Sequence, residues 1–208
     1  NIRCFLVYPR HFFKKINSYL RENNIEIMIL TVDIGNTRIK AAVFEGDILL
    51  NHFVFSKNEL QKNIENILKK FKNTTHLVVA SVGDVEKEAF LVLNNEIIVH
   101  FVSHNDPFPF VNEYETPQTL GIDRLVLAAG ATLQFPNQNR LVIDAGTCVT
   151  YDFVDIDNNY LGGAISPGLR LRYEALHNYT SKLPLLQLEN PKQFIGTSTS
   201  QSIHSGIV

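Results

Sequence analysis

Apolar and polar positions alternate from the first strongly hydrophobic segment onward, in short runs separated by glycine-bearing turns. Ile29 to Ile34, Arg38 to Phe44 and Ile48 to Phe55 read as three consecutive strands, joined by Gly35-Asn36 and by the acidic turn Glu45-Gly46-Asp47. That is a β-meander. From Asn58 to Phe71 the period changes from two to 3.6, with Leu60, Ile64, Ile67, Leu68 and Phe71 on one helical face. Leu77 to Val82 is then a continuous apolar run of the length of a buried strand. Residues 84 to 94 predict a weaker helix and Ile97 to Val102 another strand, before the Pro-rich stretch from Asn105 to Pro117 breaks all periodicity. A domain boundary or active-site loop is expected there. Leu120 to Phe135 predicts an amphipathic helix with the stripe Leu125, Leu127, Ala128, Ala131 and Leu133 and with Asp123 in its first turn. The strand pattern then restarts over Leu141 to Ala145, Cys148 to Val154 and Tyr160 to Ile165.

The two meanders repeat one another. Each runs apolar strand, aspartate, small or apolar residue, glycine, hydroxyl-bearing turn, strand: Asp33-Ile-Gly35-Asn36-Thr37 in the first, Asp144-Ala-Gly146-Thr147 in the second. A duplicated strand-rich unit predicts an α/β chain of two related domains, 28–117 and 118–208, facing each other across a cleft. The residue types suit phosphate. Glycine permits a tight turn and lets backbone N–H groups approach phosphate oxygens, threonine hydroxyls add neutral donors, and a strand-end aspartate can hold a hydrated cation beside them. Lys40 adds a flexible positive charge for the same oxygens. One such hairpin reads more readily as a plain turn; two in matched contexts point to a two-domain phosphate binder.

Composition narrows the class. A formal charge of −2 gives no general reason to attract nucleic acid or an acidic membrane. Residues 1 to 27 are nevertheless net +3, which leaves −5 on the remainder. The only methionine, Met28, directly precedes the first apolar strand, so residues 1–27 are expected to be an extension. The chain also stops inside what reads as a helix opened by Thr199 and Ser200, and is expected to continue past Val208. No apolar run approaches the roughly 20 residues that cross a bilayer. Two cysteines, Cys4 and Cys148, are too few for a disulfide framework or a thiolate metal site and suit a reducing compartment, so a cytoplasmic location is expected. His100 and His104, four apart with Asp106 nearby, lack a second cluster and are expected on the surface.

With these motifs in hand the chain resembles the actin, hexokinase and Hsp70-like ATPase superfamily, whose domains are duplicated ribonuclease H-like units with mixed sheets flanked by helices. Within it the chain is similar to type III pantothenate kinases from Met28 to Val208. The matching stretches are Asp33 to Lys40, Leu120-Gly-Ile-Asp-Arg124, Asp144 to Thr147, Gly162-Gly-Ala-Ile-Ser-Pro-Gly168 and Thr199 to Gly206. The resemblance implies transfer of a phosphoryl group from ATP to pantothenate, giving 4′-phosphopantothenate, the first step toward coenzyme A. It implies Asp33, Gly35, Asn36, Thr37 and Lys40, with Gly146 and Thr147, as ATP contacts, and Asp144 as ligand of a potassium or ammonium ion. Asp123 is implied as general base, a role that suits a carboxylate beside a primary alcohol. Tyr114, Gly121, Ile122, Asp123, Arg124 and Thr199 are implied as substrate contacts, with Mg2+ bridging the ATP phosphates and a homodimer as the working unit. Arg124 would clamp a carboxylate or phosphate, or else form a surface ion pair. Where the family has asparagine before the threonine, this chain has Ser198. The alternatives are another small-metabolite kinase of the superfamily, such as a sugar or acetate kinase, and a non-catalytic nucleotide-binding accessory or regulatory protein.

Overall fold

The computed structural model describes residues 27–46, 48–81, 90 and 97–208. The expected helix over 84 to 94 lies outside them except for Phe90, as do Asp47 and all of the N-terminal extension but Ile27. Nine strands and four helices follow one another among the described residues.

The first sheet holds β1 (Met28–Ile34), β2 (Ile39–Glu45), β3 (Ile48–Phe55), β4 (Thr74–Ser81) and β5 (Ile98–Phe101) in the order β3-β2-β1-β4-β5. β1 runs antiparallel to β2 and parallel to β4, so the sheet is mixed. Every residue of β1 is buried, because the strand is central and both faces are covered. Leu30, Val32 and Ile34 pack with Ile39, Ala41 and Val43 of β2 and with Ile64 and Ile67 of α1 (Leu60–Lys70). Each of those two isoleucines contributes roughly 1.5–3 kcal/mol by leaving water. The start of α1 follows a short 3-10 turn over Lys57–Glu59, where Ser56 donates both its N–H and its hydroxyl to Glu59. That satisfies donors at a helix entrance.

On the opposite face, Ile29, Ala42, Phe44, Val78 and Ala80 pack against α2 (Ile122–Gln134). The sequence predicts one apolar stripe on this helix, but the structure buries every residue from Arg124 to Thr132. The reason is a second set of neighbours: Val142, Val154 and Tyr160 belong to the same apolar cluster, so α2 is covered on more than one side. Within the Pro-rich stretch lie the short strand β6 (Val111–Asn112) and a 3-10 turn over Pro117–Thr119.

The second sheet repeats the meander as β7 (Arg140–Ala145), β8 (Cys148–Val154) and β9 (Asn159–Pro167), in the order β6-β9-β8-β7. Arg140 organises its far turn by donating to Asn158 Oδ1 at 2.9 Å and to the Asp155 carbonyl. After β9 come α3 (Leu169–Asn178) and α4 (Thr199–Ile207), joined by packing of Tyr173 on Ile203 and Ile207. Two helix-flanked sheets, each carrying one copy of the meander, give the duplicated ribonuclease H-like, actin-like ATPase fold class expected from the sequence. The chain divides into two compact units, one reaching Val142 and including Asp152–Gly162, the other formed by Ile143–Tyr151 and Gly163–Val208. Among the described residues no helix is long and apolar enough to cross a membrane.

Candidate active site

In the first hairpin, Asp33 and Lys40 face each other as register partners of β1 and β2. Asp33 is only 9% exposed, an unusual place for a carboxylate, and Lys40 Nζ stands 3.9 Å from its Oδ2. Gly35 N–H donates to the Arg38 carbonyl at 3.2 Å and closes the turn, while Asn36 and Thr37 are exposed at its tip. A turn of this kind presents amide and hydroxyl donors above a carboxylate-ammonium couple. Phosphate oxygens would find donors there, and a cation carried on them would find the carboxylate.

In the second hairpin, Asp144 is half-buried near the end of β7 and the turn residues Gly146 and Thr147 are exposed. Gly146 N–H donates to the Cys148 carbonyl at 2.8 Å. Gly168, the residue before α3, donates its N–H to the Thr147 carbonyl at 3.0 Å. A Cβ on Gly168 would fall within 2.5 Å of that carbonyl oxygen. The glycine segment ahead of α3 is thus the floor on which the second hairpin rests. Gly162 serves differently: its φ of 110° inside β9 would strain any residue with a side chain, and a Cβ there would come within 3.3 Å of the Tyr114 ring.

At the start of α2, Gly121 caps the helix and accepts from Leu125 N–H at 3.2 Å. Asp123 is half-buried in the first turn and its Oδ1 accepts the Arg124 N–H at 2.9 Å. Arg124 turns inward. Its Nε donates to Asp152 Oδ1 at 2.9 Å, and Nη2 lies 2.6 Å from the same oxygen but outside hydrogen-bond alignment. Tyr160 donates its hydroxyl to that oxygen as well, at 2.5 Å, and the Tyr114 ring lies 5.8 Å from the guanidinium. Burial pulls the Arg124 pKa down and Asp152 more than offsets it, so the guanidinium is held charged. Burial, then the neighbouring Asp152 carboxylate, pushes the Tyr160 phenol far above its ordinary range. In place of the surface ion pair that was the alternative to a substrate clamp, Arg124 forms a buried one, with a partner, Asp152, that lies outside the motifs. A carboxylate inside a strand whose neighbours are aromatic and apolar, Tyr151-Asp152-Phe153-Val154, was the available signal.

Thr199 is the first residue of α4, and the cap is Ser198, whose hydroxyl accepts from Gln201 N–H at 3.3 Å. The helix opens at Thr199 and Ser200 as the sequence predicts, and Ser198, its backbone still extended, caps it. Ser198 and Thr199 line a groove of about 1090 Å³ with Arg172, Tyr179 and Ile207. His100 and His104 are half-buried rather than on the surface, because each has a partner: His100 bonds Asp106 at 2.8 Å and His104 bonds the Leu120 carbonyl at 2.7 Å.

No group of three histidine, cysteine, aspartate or glutamate residues gathers among the described residues. An ion brought in on nucleotide phosphates, as Mg2+ typically is, needs only one or two carboxylates from the protein. Asp33 and Asp144, each beside a donor-rich turn, are the carboxylates that fit.

The sequence profile of type III pantothenate kinases matches residues 29–208. A type III pantothenate kinase of Flavobacterium johnsoniae is 71% identical over 181 residues, covering 87% of this chain and 74% of that protein. One of Bacteroides fragilis is 39% identical over 181 residues, covering 86% and 74%. Among solved structures, a Baf-family protein of Campylobacter jejuni described as a transcriptional activator superposes with a TM-score of 0.55 at 22% identity, covering 86% of this chain and 73% of that one. That likeness is one of fold. With the profile matched across the second hairpin, the Asp123 turn and the first hairpin alike, the chain belongs to the type III pantothenate kinase family.

Proposed function

We propose that this protein phosphorylates pantothenate with ATP, giving ADP and 4′-phosphopantothenate, the first step toward coenzyme A. The observation that carries this reading is the 71% identity to a pantothenate kinase over nearly the whole described chain, with the Asp123 turn intact. Asp33, Gly35, Asn36, Thr37 and Lys40 of the first hairpin are ATP contacts in this reading, and so are Gly146 and Thr147 of the second. Tyr114, Gly121, Ile122, Arg124 and Thr199 orient pantothenate, and Asp123 accepts the proton of its primary hydroxyl as the bond to the γ-phosphorus forms. Asp33 would hold Mg2+ and Asp144 a potassium or ammonium ion, and these cations would neutralise charge on the phosphate oxygens. The protein's own part is positioning and donor placement.

The test is turnover of purified protein with ATP, Mg2+ and K+ against pantothenate, a hexose and acetate. Phosphorylation of pantothenate alone is the expected result. Transfer to another acceptor would assign a different kinase of the superfamily. ATP binding without transfer to any acceptor would assign an accessory role.

A further inference from the structure

The turn that carries Asp123 is fastened at both ends by side chains that lie outside the motifs. We infer that His104 and Asp152 are positioning residues that hold the Gly121–Arg124 turn in register for catalysis, an inference that rests on the proposed role of Asp123 as general base. Leu120 is buried and extended, and its carbonyl stands four residues before Arg124, where a longer helix would pair it with the Arg124 N–H. That amide goes to the Asp123 carboxylate instead, at 2.9 Å. The Leu120 carbonyl is then satisfied by His104 Nε2 at 2.7 Å. Since a carbonyl only accepts, Nε2 carries the proton. His104 therefore stabilises the exchange of partners that ties the Asp123 carboxylate to the helix entrance.

The segment that bears His104 is itself held. His100 Nε2 bonds Asp106 Oδ2 at 2.8 Å, and Asp106 also accepts from the Ser103 N–H at 3.1 Å and hydroxyl at 3.3 Å, which braces the segment that bears His104. On the far side of Asp123, Asp152 is fully buried on β8 and grips Arg124 through Nε at 2.9 Å. Tyr160 orients the same carboxylate. Leu120, three residues before Asp123, and Arg124, directly after it, are thus tied to separate parts of the fold, which fixes the turn at both ends.

Three variants and two readouts test this: His104→Phe, His104→Gln and Asp152→Asn, assayed for kcat and KM and for amide hydrogen exchange by residue. Glutamine places an N–H donor at the reach of Nε2; phenylalanine fills the space without one. His104→Phe and Asp152→Asn are expected to lower kcat roughly 10- to 100-fold, the scale of a displacement near 1 Å at a reacting group. The KM for ATP should stay within about twofold, with faster exchange confined to residues 120–125, and His104→Gln should return kcat to within about threefold of the parent protein. A His104→Phe kcat within about twofold of the parent overturns the inference. So does equal impairment by glutamine and phenylalanine, or exchange that quickens evenly across the chain, which marks a general loss of folding. Asp152→Asn leaves a buried charge without its partner, so if it does not fold the His104 pair decides alone. Should the parent protein fail to phosphorylate pantothenate, the function proposed above fails, and exchange at 120–125 still decides whether these two residues hold the turn.

Discussion

Asp123 differs from the other acidic residues named here in what surrounds it: a glycine before it, a buried arginine after it and its own carboxylate folded back onto the helix entrance. Replacing it with asparagine keeps the size and an oxygen that can accept the Arg124 N–H, so the fold should persist with a melting temperature close to the parent's. What is lost is the ability to take a proton. Turnover is expected to fall on the order of 10²- to 10⁴-fold, measured as kcat with saturating ATP. Near-parent turnover would remove Asp123 from the base role. Lys40 calls for a different readout. It is half-exposed and 3.9 Å from Asp33, so Lys40→Met should raise the KM for ATP more than it lowers kcat. These side chains were legible in sequence because glycine, hydroxyl and charge stand within a few positions of each other. Asp152, Tyr160 and His104 were not, because what they do depends on partners 28, 8 and 16 positions away.

Strands and helices were legible to within a few residues wherever one period held. The β1–β3 meander, α1, β4 and the β7–β9 meander all fall where alternation or the helical stripe put them. Two elements departed for physical reasons. α2 reads as amphipathic, yet its polar-looking side is roofed by apolar side chains distant in sequence, and β6 is too short to leave a periodic trace. Glycines inside and beside helices sharpen the point, since two of them should respond to alanine with opposite sign. At Gly168 a Cβ would press on the Thr147 backbone, so Gly168→Ala is expected to cost roughly 1–3 kcal/mol and to raise the KM for ATP by shifting the second hairpin. At Gly206, in the last turn of α4, a Cβ would meet nothing within 4 Å, and alanine should stabilise by up to about 1 kcal/mol. Urea midpoints of the two variants moving in the same direction would contradict this reading.

Across the whole molecule, the feature that hydrophobic patterning could not foresee is a charged, hydrogen-bonded cluster at the edge of the apolar core: Arg124, Asp152 and Tyr160, with Tyr114 against it. Patterning ranks residues one at a time, whereas a buried charge is tolerable only beside an opposite charge. The cluster makes global stability depend on pH in one direction. Burial first, and the Asp152 carboxylate second, raise the Tyr160 pKa in the folded protein above its value in the unfolded chain. Below the unfolded value, near 10, both states keep the phenol protonated and the contribution is complete. Above it the unfolded chain releases a proton that the folded one retains, so unfolding becomes easier by about 1.4 kcal/mol per pH unit until the folded phenol also ionises. Urea denaturation from pH 9 to 11.5 should therefore show stability falling with pH, and Tyr160→Phe should flatten that slope by about one proton's worth. The same variant removes one donor from Asp152 and is expected to be less stable than the parent at pH 7. If its slope equals the parent's, Tyr160 ionises as readily in the folded protein as in the unfolded one, and the cluster does not hold its proton.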